Sequence, residues 1–126
     1  MAEPPDGLVR LAAEVDGGIV GYADLHDDGT APDRRELGFL VGGPHQGRGI
    51  GTAVARAALD HGFGAMGLER IWAEAWGTNA ASMRILARLM RRTGDGAAGT
   101  YLGEPARYAQ FATDRTGWRR RGATSR

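Results

Sequence analysis

Residues 42–63 read GGPHQGRGIGTAVARAALDHGF, and five of the first ten are glycine. Glycine loses more backbone freedom on folding than any other residue. A chain that concentrates it at one point needs unusual dihedrals there, or a backbone open to close approach. The flanks say which junction this is. Arg35–Val41 (RELGFLV) reads as a strand. Beyond the glycines, Ile50, Val54, Ala58 and then Leu59, Phe63 fall four apart, which is helical spacing, and Gly62 and Gly64 are expected to end that helix. The first turn of a helix leaves backbone N–H groups without internal partners and carries partial positive charge. Glycines there let those N–H groups approach a phosphate.

Two phosphate loops do not fit. A nucleoside-triphosphate loop needs four residues between its first glycine and Gly-Lys-Ser/Thr. Gly42 and Gly47 have that gap, but Arg48-Gly49 follows and the chain contains no lysine. The dinucleotide fingerprint G-x-G-x-x-G/A starts at Gly47 but meets Thr52, and starts again at Gly49 but meets Val54.

The rest of the chain supplies the frame. Leu8–Val15 and Ile19–His26 are strand-like runs around Asp16-Gly17, a hairpin signal. DDGTAPDR is a loop. Arg70–Trp76 alternates and is aromatic, so it reads as a strand. Asn79 suits the N-cap of a helix from Ala80, with Met83, Leu86, Ala87 and Met90 on its apolar face. That helix is expected to run to Arg92 and stop at Gly94. GTYL and RYAQFAT are expected as closing strands. The order β-β-β-α-β-α-β-β is a mixed α/β domain, and the strands Arg35–Val41 and Arg70–Trp76 should be parallel through a right-handed crossover.

Composition excludes several classes. A chain of 126 residues suits one domain. With no cysteine there is no disulfide, thiolate zinc site or cysteine nucleophile. His26, His45 and His61 are scattered, so no metal triad is legible; His61 reads as structural and His45 as exposed. A net charge of +1 gives no global field toward nucleic acid. No apolar run approaches the ~20 residues of a membrane helix. MAEPPDG has no signal pattern, so a cytoplasmic setting is expected. The tail RTGWRRRGATSR has five arginines and no acid. It reads as a solvated terminus, flexible over residues 119–126, or as a contact for an acidic partner.

A third loop pattern does fit. Gln46-Gly47-Arg48-Gly49-Ile50-Gly51 matches Q/R-x-x-G-x-G/A. With RELGFLV before it, and GLERIWAEAWGTNAASMRILARL and RYAQFATDRTGW after it, the chain resembles the GNAT superfamily of N-acetyltransferases from about Leu8 to Trp118. Asn79-Ala80-Ala81-Ser82 is similar to the N-x-x-S of its ribosomal-protein N-acetyltransferase branch. The resemblance implies a mostly antiparallel sheet with a central splayed parallel pair, flanking helices and acetyl-coenzyme A as cosubstrate, without a metal. It implies that Phe39, Leu40 and Val41 offer a backbone edge to the pantetheine arm. Gln46, Gly47, Arg48, Gly49, Ile50, Gly51 and Thr52 would hold the pyrophosphate. Asn79 would bond the cofactor arm or cap the helix. Glu36 would be the general base, or a solvated partner of Arg34 or Arg35. Ser82 would lie near the sulfur as an acid, or simply occupy the first helical turn; Tyr101 and Tyr108 are alternatives for the acid.

The branch has a strand and two helices ahead of the hairpin that line the acceptor pocket, whereas seven residues precede Leu8 here. A shortened domain is therefore expected, with a homodimer as one way to complete it. Three functions follow: an N-acetyltransferase acting on a protein N-terminus or small amine, a coenzyme A binder without catalysis, or an unrelated phosphate binder using the same loop physics.

Overall fold

The computed structural model describes residues 8–42, 47 and 49–124; Gln46, Arg48 and His45 lie outside the described residues. Strand β1 (Leu8–Val15) turns through Asp16 and Gly17, at φ 52° and 83°, into β2 (Gly18–Asp27). Two consecutive left-handed residues match the right-handed twist of a hairpin, which is why Asp-Gly serves there. Strand β3 (Arg34–Val41) pairs antiparallel with β2, and helix α1 (Ile50–Phe63) follows. Strand β4 (Arg70–Trp76) returns parallel to β3. Helix α2 (Ala80–Leu89), strands β5 (Arg91–Tyr101) and β6 (Glu104–Asp114), and helix α3 (Arg115–Thr124) complete the order. The sheet runs β1-β2-β3-β4-β6-β5, with β3–β4 the one parallel pair among the described strands. This is the mixed α/β architecture the sequence predicts.

Alternation divides the sheet into two faces. Ala23, Leu25, Leu37, Ile71, Ala73, Ala75, Ala109 and Phe111 join one buried cluster with Val54, Ala55, Ala58, Leu59 and Phe63 of α1 and Leu86 and Leu89 of α2. Burying each large aliphatic side chain there stabilises the fold by roughly 1.5–3 kcal/mol. Gly62 sits inside the last turn of α1, where a Cβ would lie 2.7 Å from Ile71 Cδ1, and Gly64 caps the helix by donating to the Asp60 carbonyl at 2.8 Å. The other face is polar. There Asp24, 5% exposed, accepts two bonds from the Arg10 guanidinium at 2.6 and 3.1 Å, and that guanidinium lies 4.2 Å over the Tyr22 ring.

One expectation is corrected. Helix α2 does not run to Arg92. It ends at Leu89, because Leu89 and Met90 are buried in the core and Met90 is already extended, so that Arg91 can pair with Ala112. The glycine-rich TGDGAAG is thus part of an edge strand, with register breaks at Arg92/Gly94 and Asp95/Ala98. In the tail, α3 runs from Arg115 to Thr124. Asp114 Oδ1 accepts from the Gly117 N–H at 2.6 Å, and Trp118 Nε1 donates to Asp60 Oδ1 at 2.7 Å with its ring 6.4 Å from Phe63. The Trp118 contacts anchor the helix to α1. No helix among the described residues is long and apolar enough to cross a membrane.

Candidate active site

The parallel ladder between β3 and β4 has three rungs: Arg34–Arg70, Arg35–Ile71 and Glu36–Trp72. Past Glu36 the strands part. β3 stays laddered to β2 as far as Val41–Gly21, and β4 stays laddered to β6 as far as Trp76–Tyr108. Each strand follows its antiparallel partner, and sheet twist carries the two apart. The gap continues into a cleft of ≈ 710 Å³, with Phe39, Leu40 and Val41 on one wall and Asn79, Ala81 and Ser82 of the α2 start on the other.

The start of α1 opens onto this cleft through Gly47, Gly49, Gly51 and Thr52. Gly49 is the N-cap at φ 79°, a left-handed conformation that a side chain would strain, and it provides no side-chain cap. The first internal helix bond runs from the Ala53 N–H to the Gly49 carbonyl at 3.0 Å. The amides of Ile50, Gly51 and Thr52 therefore lack an intrahelical acceptor. No acidic residue stands in the first turn to offset the helix dipole. Such a terminus suits an anion. At Gly51 a Cβ would lie 2.7 Å from Ile85 Cδ1 and 3.4 Å from Val41 Cγ2, so β3, α1 and α2 meet closely there.

Asn79 caps α2: its Oδ1 accepts from the Ser82 N–H at 3.3 Å, and its own N–H donates to the Trp76 carbonyl at 2.8 Å. Asn79 also lines the cleft. Tyr101 also lines the cleft, and its ring is 6.3 Å from Trp76, which in turn stacks on Tyr108 at 3.8 Å. Sequence reasoning missed Arg84 and Arg88, which also line the cleft. Their spacing of four on the polar side of α2 was the available signal.

Glu36 is placed differently. It is half-buried and does not line the cleft; it stands on the last parallel rung, opposite His26 on β2 and Trp72 on β4. Burial lifts its carboxyl above the ordinary Glu value, Glu74 adds to this, His26 opposes it, and Asp28 adds again. A carboxylate held upward in this way is a stronger base than a solvated one. Among the described residues no group of three or more acidic or histidine side chains is arranged to hold a metal.

The acetyltransferase (GNAT) domain family matches residues 2–90, and the chain belongs to that family. It is similar to the mycothiol acetyltransferase of Nocardia farcinica, 41% identical over 90 residues, which make up 71% of this chain and 27% of that protein. The chain therefore spans about a quarter of that relative's length. The fold is similar to spermidine N-acetyltransferase SpeG of Vibrio cholerae (F149A mutant), with TM-score 0.81 and 16% identity over 94% of this chain and 72% of that one. It is also similar to Salmonella typhimurium yncA, solved with its cofactor acetyl-CoA, with TM-score 0.76 and 23% identity over 86% of this chain and 65% of that one.

Proposed function

We propose that this domain transfers an acetyl group from acetyl-coenzyme A to a primary amine by direct attack on the thioester. One observation carries the reading: β3 and β4 part after a three-rung ladder, and the cleft so opened meets the uncapped N-terminus of α1. Acetyl-CoA fits these features by its chemistry. Its diphosphate is an anion for the Ile50–Thr52 amides and Gly47, with Gln46 and Arg48 completing the loop in sequence. Its amide-bearing arm matches the β3 edge at Phe39–Val41 and the Asn79 amide. Arg84 and Arg88 offer charge to the remaining phosphate.

When bound, the cofactor supplies an activated acyl group. The chain's residues do the rest. Glu36 takes the proton of the incoming ammonium, directly or through water. A backbone N–H within Phe39–Val41 of β3 would serve as the donor to the carbonyl oxygen, where negative charge develops. Ser82, at the α2 start, is the candidate to return a proton to the leaving sulfur, with Tyr101 the alternative. The acceptor is a small amine or a protein N-terminus. The carboxylates Glu36 and Glu74 favour one carrying a second positive charge, in keeping with the relative named for spermidine.

The test has two arms. Coenzyme A should raise the Tm far more than ATP or NAD; no such difference would refute the cofactor reading. Glu36→Gln should lower kcat by about 10²–10⁴-fold with a panel of amines and N-terminal peptides. It should leave the coenzyme A thermal shift unchanged. Equal loss of binding and turnover would remove Glu36 from its role as base.

A further inference from the structure

The loop after β2 contains a carboxylate with more partners than a loop residue needs. The Asp28 side chain is 7% exposed. Its Oδ1 accepts from the Thr30 N–H at 2.9 Å and the Thr30 hydroxyl at 2.6 Å. Its Oδ2 accepts from Trp72 Nε1 at 2.7 Å and lies 3.3 Å from Arg34 Nε. Arg34 is on the first rung of the parallel ladder, on β3; Trp72 is on the last rung, on β4, facing Glu36. One carboxylate therefore ties the start of the ladder on one strand to its end on the other.

We infer that Asp28 and Trp72 form a clamp that fixes where β3 and β4 part, and so positions Glu36 for proton transfer. The inference rests on the proposed role of Glu36. Three rungs are little to hold a parallel pair whose continuation is open. Slippage or fraying by one residue moves a strand by about 3.3 Å. A misplacement of about 1 Å at a reacting group can cost on the order of 10² in rate. A buried carboxylate bonded to several donors resists that movement, because each bond is charge-assisted and the donors sit on different segments.

The clamp also sets the charge around Glu36. Around Glu36 stand His26 from β2, Glu74 from β4 and Asp28 from the β2–β3 loop. Arg34, two residues earlier on β3, is paired with Asp28. Removing the Asp28 charge takes away a repulsive neighbour, which favours the ionised Glu36 and lowers its pKa.

Trp72→Phe keeps an aromatic side chain, though a smaller one, and removes the bond to Asp28; Asp28→Asn keeps the size and removes the charge. Trp72→Phe should lower kcat about tenfold or more while KM for acetyl-CoA and the coenzyme A thermal shift stay near wild type. In the free protein, amide exchange at Arg34–Glu36 should become faster. Asp28→Asn should move the acid limb of kcat/KM, and the Glu36 midpoint in a carboxyl-carbon NMR titration, to lower pH. Variants that are merely less stable, with kcat per folded molecule within twofold of wild type and an unmoved Glu36 midpoint, would overturn the clamp. Exchange and titration are read without cofactor or acceptor, so they decide on the clamp even where the transfer reading fails.

Discussion

Gly99 and Gly94 lie in the same edge strand, and alanine should have opposite effects at the two. A Cβ at Gly99 would stand 2.7 Å from Trp76 Cη2, 3.4 Å from Cζ3 and 3.6 Å from Cζ2. Carbon atoms in contact prefer roughly 3.5–4.0 Å, so the overlap with Cη2 approaches 1 Å. Stacking on Tyr108, at 3.8 Å and 18°, restricts how far the indole can move. Either β5 shifts outward or the ring leaves its rotamer; overpacking of this kind costs about 1–3 kcal/mol. At Gly94 a Cβ would meet nothing within 4 Å, and the residue is not left-handed. Alanine there only restricts the unfolded chain, a gain of about 0.4–1 kcal/mol. Urea unfolding followed by circular dichroism should therefore place Gly99→Ala about 2 kcal/mol below wild type and Gly94→Ala at or slightly above it. Trp76→Phe should recover part of the loss in the Gly99→Ala background, since the smaller ring vacates the contact. The residue two places on is Tyr101, which lines the cleft, so Gly99→Ala should also weaken coenzyme A binding. If the two alanine variants are equally stable, the glycines are not shaped by the indole and the argument fails.

Leu102 is 85% exposed and sits at φ 52° in the β5–β6 turn, a conformation that costs an ordinary L-residue about 1–2 kcal/mol. Leu102→Asn should raise the Tm by a few degrees, and an unchanged or lower Tm would show that the turn relaxes without strain. Charge reversal at Arg84 and Arg88 together should weaken coenzyme A at low salt about tenfold or more, with the difference shrinking as ionic strength rises. A salt-independent loss, measured by calorimetry, would mean that the arginines act through packing.

The strands and their faces were legible because alternation marks them: Ala23 and Leu25, or Ile71, Ala73 and Ala75, declare the buried side of the sheet by spacing alone. The end of α2 was not legible. No glycine follows Leu89, and what stops the helix is the need for Arg91 to lie beside Ala112, a residue on a strand still to come. The helix in the tail was not legible for a related reason. Its arginines suggest solvation, yet Trp118 decides its fate by meeting Phe63 and Asp60 of α1. The candidate site divides in the same way. The glycine loop, Asn79 and Glu36 are visible because their local sequence is distinctive. Asp28 reads as one more polar loop residue, since Trp72 is 44 positions away and reaches it only across the parallel register. Periodicity tells which face a side chain takes, but a parallel pair joined through a helix leaves its register open. Where such a ladder stops is set by the competing antiparallel partners on either side, here β2 and β6. The opening between β3 and β4 is thus a property of four strands at once, and the residues that brace it carry no local signature.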